Sequence, residues 1–389
     1  MDQHPKTPEQ KLPLSGIRVV ALEQAVAAPF CTRQLADMGA DVIKIERPDG
    51  GDFARSYDGA LNGLSAYFAW LNRGKRSLAL DIKSETGKMI LTRLIKRADV
   101  FVHNLFPGTV ERLGFGYEEI RLINPRMIWA GISGYGPDGP YRDKKAYDML
   151  IQAESGVVSM TGTPDAPAKV GISIADISSG LYAYSSILAA LFNREKTGAG
   201  ERIDISMLEC LTEWMMPPIN VFLGTGEAPL RAGLRHNMIA PYGAYQCADG
   251  SVLFSIQNER EWKSFCKLVL ELPALAEDLR FVTNEQRLAN RASLEEQIEG
   301  RFRRHSVSTI LGRLEQANIA NATINDVEAV VNHPQLSARR RWDSVQSFIG
   351  PIQALIPPHN LASVSPRMNR IPSLGEHTAE ILAELEHEA

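Results

Sequence analysis

The sequence predicts an α/β protein: a large domain on an open, mostly parallel sheet, joined to a smaller α+β domain. Three observations carry this reading. Short apolar runs of β character alternate with segments of helical period from residue 17 to residue 205. The run at 100–104 ends in polar residues, as strands of an open parallel sheet do where ligands gather. The texture then changes after residue 213, where Met, Pro and Gly break the alternation.

Residues 17–21 predict a buried strand, and Ala27-Ala-Pro29 opens a helix through about Met38, with Pro in the first turn and Gly39 beyond the end. Residues 41–46 predict the next strand. Strand, short helix and strand in so few residues make a parallel βαβ unit of the Rossmann-like, nucleotide-binding sort. No G-x-G-x-x-G follows the first strand, which argues against an NAD or FAD cradle. Further strands are predicted at 77–81, 100–104, 127–132 and 201–205, with a helix at 86–97 between the first two. Residues 133–147 predict a loop rich in Gly, Pro and charge. Ser206 with Glu209 forms a capping-box signal for a following helix.

The large domain is thus expected over residues 1–213, a linker over 214–230, a small α+β domain over 231–325 and a return to the large domain over 326–389. In the small domain Asp249-Gly250 predicts a hairpin turn between β-like runs spanning 243–256. Helices are expected at 259–270, 293–304 and 308–316, and a short strand at 320–324. The final segment is rich in Arg and Pro until a helix begins at Thr378.

Composition bounds the function. The 389 residues are 44% hydrophobic and 23% charged, ordinary globular values that allow two or three domains. A net charge of -4 without a basic block argues against nucleic acid and anionic membrane as partners. The four cysteines, Cys31, Cys210, Cys247 and Cys266, are scattered, so reduced thiols in a cytoplasmic protein are expected. The polar, Pro-bearing start lacks the pattern of a signal peptide, and no apolar run is read as long enough to span a bilayer. No metal site is expected, because no His, Cys and carboxylate cluster shows ligand spacing.

One stretch concentrates the chemistry. In Gly171-Ile-Ser-Ile-Ala-Asp176 an extended run is read as ending at a carboxylate, where a helix of small and apolar residues begins. Asp at such a place is a favoured N-cap. Alternatively, the helix terminus keeps Asp176 ionised, its free amides hold an oxyanion, and the carboxylate attacks an activated acyl group. Local sequence leaves both readings open.

Taken together, Gly16-Ile-Arg-Val-Val20, Ala27-Ala-Pro29, Leu35-Ala-Asp-Met-Gly-Ala-Asp-Val-Ile-Lys-Ile-Glu-Arg-Pro48, Gly51-Asp52 and Leu71-Asn-Arg-Gly-Lys-Arg-Ser77 form a distinctive series. Val102-His-Asn-Leu-Phe-Pro-Gly108, Gly131-Ile-Ser-Gly-Tyr-Gly136, Gln152-Ala-Glu-Ser-Gly156, His333-Pro-Gln335 and Pro372-Ser-Leu-Gly-Glu-His-Thr378 continue it. In this order they resemble the class III CoA-transferases, the formyl-CoA and carnitine CoA-transferase group, over nearly the whole chain.

The resemblance implies that Asp176 is the catalytic aspartate. It implies CoA contacts at Val26, Ala27, Arg47, Lys75, Asn104, Leu105, Arg112 and Lys145, with coenzyme A as substrate and product and no permanently bound cofactor. Formyl-CoA transferases have Gln where Val26 stands and an aromatic where Leu105 stands. Tyr147 falls where the related α-methylacyl-CoA racemases carry a His base; Tyr is a poor base but a good donor, which favours the transferase. A racemase or epimerase, an intramolecular transferase and a non-catalytic CoA-binding protein are the alternatives. The run of glycines that closes the formyl-CoA transferase site has no counterpart, leaving Arg235, His236 and Tyr242 as acyl-pocket candidates. The implied reaction moves CoA from an acyl-CoA, such as succinyl-CoA, to a small dicarboxylic acid such as malate, citramalate, mesaconate or itaconate. The implied assembly is an interlocked homodimer.

Overall fold

In the computed structural model, which describes residues 11–387, six strands form one parallel sheet in the order β3-β2-β1-β4-β5-β6. They are β1 (Arg18–Leu22), β2 (Asp41–Glu46), β3 (Arg76–Ala79), β4 (Val100–His103), β5 (Ile128–Ser133) and β6 (Glu201–Ser206). The first ten residues, most of the segment read as lacking a signal sequence, lie outside the described residues. The register sets Val20 beside Ile43 on one side and Phe101 on the other. All three are buried, as strands covered on both faces must be.

The chain runs outward from β1 through β2 to β3, then crosses back to place β4 against the other side of β1. Strand order therefore reverses between β1 and β4, and a crevice opens beyond their carboxyl ends. Helix α1 (Ala27–Asp37) and the 24-residue α3 (Ile174–Thr197) cover one face, packing Cys31, Leu35, Ala183 and Ile187 against Val19, Val102 and Ala130. The short α2 (Asp148–Glu154) packs against α3. Leu91, Leu94, Phe115 and Ile120 pack the other face.

Two compact units divide the chain. Among the described residues, one comprises 11–157, 170–215 and 335–387; the other comprises 158–169 and 216–334. In the first, the returning chain forms a hairpin of β10 (Trp342–Ser347) and β11 (Gly350–Leu355), then helix α5 (Thr378–His387). Helix α5 is tied to the sheet edge by Arg76 pairing with Glu380 and Glu384, and by Thr378 Oγ1 accepting the Ala79 amide. In the second unit, β7 (Tyr242–Gln246), β8 (Ser251–Ser255) and β9 (Asn321–Ala322) form an antiparallel sheet around Phe254, Trp262, Phe265 and Phe302.

Four expectations change. Residues 216–225, read as part of a linker, form helix α4 (Met216–Thr225), because Pro217 and Pro218 sit in the first turn, where their missing donors cost nothing. The hairpin 342–355 was not anticipated. No strand precedes Asp176: residues 171–173 bend, and α3 starts at Ile174 with Ser173 at its cap position. Finally, α3 is long and apolar enough to cross a bilayer, contrary to the sequence reading. Half of its apolar window is buried within the fold, and Arg194 near its end pairs with Asp99, which marks it as the core helix of this unit.

Candidate active site

A cavity of about 1190 Å³ occupies the crevice at the carboxyl ends of the strands. Its walls come from the loops after every strand: Gln24 to Ala27 after β1, Arg47 to Asp49 after β2, Leu80 to Lys83 after β3, Asn104 to Pro107 after β4, Ser133 and Gly134 after β5, and Met207 after β6. Tyr57, Tyr67, Lys144 to Met149, Ser173 and Asp176 complete it.

The switch point is pinned by side chains. Asn104 Oδ1 accepts the Gln24 amide at 2.8 Å, and its Nδ2 donates to the Gln24 carbonyl at 2.8 Å. This closed pair locks the loops after β1 and β4 together, so Asn104 forms the wall chiefly as a brace. The next residue, Ala25, has φ 61°, a left-handed conformation costly for a residue with a Cβ. Asp52 holds it there by accepting the Ala25 amide at 2.9 Å. Asp52 is anchored in turn by Lys44 at 2.7 Å, within a buried network of Glu23, Lys44, Lys75, Asp52, Glu46 and Arg55. Three acids offset three bases there, as burial of charge requires.

That network corrects one expectation. Lys75 does not line the cavity; its buried ammonium donates to Glu23 at 2.6 Å, Asn72 at 3.0 Å and the Pro29 carbonyl at 3.1 Å. All three of its protons are used, and burial, only partly offset by Glu23, lowers its pKa to about 8. The cation that β3 sends to the cavity is Lys83, four residues beyond the strand, exposed and without an ion pair among the described residues. Sequence reading missed it, although its place just past a strand end was the available signal. Arg47 lines the wall over the Phe53 ring at 5.5 Å, and Lys145 lines it too. Val26, Ala27 and Leu105 line it as expected positions, whereas Arg112 does not; its guanidinium donates to Thr109 Oγ1 at 3.1 Å.

Asp176 reaches the cavity half-buried from the first turn of α3. It is not the N-cap. Asp148 does that work from α2, its Oδ1 accepting the amides of Ala175 at 2.8 Å and Asp176 at 3.4 Å. These amides are therefore not free to hold an oxyanion, contrary to the sequence reading. Nor does the helix end keep Asp176 strongly acidic: burial first, then the Asp148 carboxylate, raise its pKa to about 7. By contrast α1 begins without a side-chain cap, and its cap residue Val26 and first residue Ala27 share the cavity wall. Gly180 lets α3 approach this point closely, since a Cβ there would lie 2.5 Å from the Ala27 carbonyl oxygen.

Around Asp176 the cavity presents hydroxyls. Tyr147 is exposed into it, Tyr57 and Tyr67 meet edge to face with centroids 5.8 Å apart, and Tyr67 Oη lies 3.5 Å from Ser173 Oγ. Tyr57 and Tyr67 carry no motif of their own and escaped the sequence reading. Arg235, His236 and Tyr242 lie in the second unit. Arg235 is committed there to Glu295 and Glu299 at 3.0 Å each, and His236 stacks on Tyr242.

Comparison with known proteins accords with this arrangement. The model of CoA-transferase family III matches residues 14–378. A succinate–glutarate CoA-transferase from Agrobacterium fabrum is 36% identical over 390 residues, covering 97% of each chain. An acetyl-CoA:oxalate CoA-transferase from Acetobacter aceti is 38% identical over 331 residues, covering 85% of each. The crystal structure of a CAIB/BAIF family protein from Brucella suis superposes with a TM-score of 0.85 at 36% identity, covering 97% of this chain and 100% of that one. A near-complete family match, joined to relatives of this identity and coverage, establishes that the chain belongs to CoA-transferase family III and is an enzyme of that type.

Proposed function

We propose that this enzyme moves CoA from an acyl-CoA thioester to a small dicarboxylic acid, with Asp176 as covalent nucleophile. The observation that carries the reading is the half-buried Asp176 carboxylate at the switch-point cavity, beside the uncapped start of α1. Arg47, Lys83 and Lys145 supply positive charge for the phosphates of CoA, and Val26, Ala27 and Leu105 flank its apolar arm. The acyl end lies among the hydroxyls of Tyr57, Tyr67, Tyr147 and Ser173. The acceptor class follows from the two relatives named for glutarate and oxalate, both dicarboxylic acids.

The ionised Asp176 carboxylate attacks the thioester carbonyl, forming an acyl–aspartyl anhydride and releasing CoA thiolate. The thiolate then attacks the aspartyl carbonyl, giving an aspartyl-CoA thioester and the free donor acid. The acceptor carboxylate attacks that thioester and expels CoA thiolate. The thiolate attacks the acyl carbonyl of the new anhydride, releasing the product thioester and regenerating Asp176. Each step exchanges one acyl bond for another of similar energy. The chain's part is to orient the partners, hold developing oxyanions and exclude water from the anhydrides. The free amides at the start of α1 are the oxyanion donors in this scheme. The working form is an interlocked homodimer in the cytoplasm, a reading that rests on the family resemblance.

The test is the Asp176→Ala variant. Wild-type enzyme incubated with succinyl-CoA and quenched in acid carries a CoA adduct on the peptide containing Asp176. The variant carries none, loses turnover with glutarate as acceptor and still binds CoA. Because Asp148 caps α3, removing Asp176 leaves the helix start intact. Near-normal turnover by folded Asp176→Ala would end the nucleophile reading.

A further inference from the structure

We infer that Asp148 is a positioning residue for this reaction: it fixes the first turn of α3 from outside and places its carboxylate beside Asp176. The inference rests on the nucleophile reading of Asp176 and adds a residue to it. Its basis is the complete commitment of one carboxylate. Asp148 Oδ1 accepts from Ala175 at 2.8 Å and Asp176 at 3.4 Å, while Oδ2 accepts from Gln152 Nε2 at 2.7 Å. Gln152, one turn along α2 and fully buried, completes a clamp on the chain entering α3. Its Oε1 accepts the Val170 amide at 2.8 Å, and its Nε2 reaches the Ile172 carbonyl at 3.3 Å. Asp148 and Gln152, four residues apart on one helix face, therefore hold 170–176 in a single conformation.

Both oxygens of Asp148 are occupied as hydrogen-bond acceptors. Asp148 therefore shapes the segment that carries Asp176 and leaves the covalent step to it. Of the cations on the same cavity wall, Lys144 pairs with Glu154 of α2, and Arg47, Lys83 and Lys145 are those assigned to the phosphates of CoA. Tyr57 faces Asp176 across the cavity with its phenol pKa raised by burial, and Cys31 on α1 is a buried thiol with its pKa raised in the same way. Tyr147 precedes α2 and Tyr67 stands beside Ser173. Further along α1, Arg33 and Asp37 pair with each other. Burial and the Asp148 carboxylate raise the pKa of Asp176 to about 7, which makes it a more basic carboxylate than a free one.

The two contributions separate by substitution. Asp148→Asn keeps an oxygen to accept the two amides but removes the charge and the acceptor that Gln152 Nε2 uses; Asp148→Ala removes all three. The measured quantity is the rate of CoA adduct formation on Asp176 with succinyl-CoA, followed by acid quench and mass spectrometry from pH 5 to pH 9. In the unaltered enzyme this rate rises through a step near pH 7. Asp148→Asn moves the step to lower pH and keeps most of the high-pH plateau. Asp148→Ala lowers the plateau by roughly a hundredfold, the scale expected when a reacting group is misplaced by about an ångström. A flat profile in the unaltered enzyme overturns the inference whether or not either variant folds. So does an unmoved step in Asp148→Asn, or a wild-type plateau in Asp148→Ala. Adduct formation by Asp176→Ala would instead bring down the nucleophile reading itself, an outcome distinct from all of these.

Discussion

At the scale of residues, Lys75 and Lys83 show how eight positions separate a structural charge from a ligand-facing one. Lys75 lies one residue before β3, pointing into the network that holds Glu23. With Lys44 it keeps that carboxylate ionised and outweighs the burial that would protonate it. Lys83 stands past the end of the same strand, exposed on the cavity wall and without an ion pair among the described residues. Their truncations should therefore differ in kind. Lys83→Ala is expected to raise the KM for the acyl-CoA by roughly tenfold, about 1.4 kcal/mol, with unchanged thermal stability. Lys75→Ala is expected to cost about 3 kcal/mol of stability, since it strips a partner from a buried carboxylate. Thermal melts and steady-state kinetics on the two variants check this; a KM effect confined to Lys75→Ala would reverse the assignment.

At the scale of elements, the site depends on how closely two helices cross. Helix α1 brings an uncapped start to the cavity, and α3 brings Asp176 one turn before Gly180. A Cβ at Gly180 would meet the Ala27 carbonyl oxygen at 2.5 Å and the Phe30 ring at 3.1 Å. Neither neighbour is the end of a flexible chain, so the helices would have to part. Gly180→Ala is expected to lose roughly 1–3 kcal/mol of stability. Adduct formation should fall further than that loss accounts for, because Asp176 moves away from the start of α1. Comparing adduct rates well below the melting temperature separates the two effects; wild-type rates would show that the crossing does not set the geometry.

At the scale of the whole molecule, the chain leaves its first unit near residue 215 and rejoins it at 335. The returning segment is integral there. It supplies the β10–β11 hairpin, the ion pairs of Glu380 and Glu384 with Arg76, and the Ile381 and Leu385 side chains that join the core beside Leu78. A unit completed only by a distant return is compatible with threading through a second copy, as the proposed interlocked homodimer requires. In that assembly two subunits cannot part without opening one of them. Mixed tagged and untagged dimers are therefore expected not to exchange subunits over days under native conditions, and to exchange after unfolding and refolding. Rapid heterodimer formation, read by pull-down, would exclude the interlocking.

The sequence by itself determined the alternation of strand and helix in the first unit, because apolar period and turn residues are local signals. Residues 41–46 were bounded correctly as β2, and 18–22, 100–103 and 201–206 within a residue or two. It also marked Asp176, through the series of motifs around it. What escaped it was weakly patterned or depended on residues distant in sequence. The strands 342–347 and 350–355 are short, the first mixing Asp, Ser and Gln among its apolar residues and the second opening on Gly and Pro, so their β signal is weak. The prolines of 216–225 hid a helix that tolerates them in its first turn. Tertiary structure alone decided that Lys75 is inside and Lys83 outside, and that α3 is capped by Asp148 rather than by its own aspartate. The reason is physical: a charge is defined by its partners, and the partners of Lys75 and Asp176 lie 52 and 28 residues away.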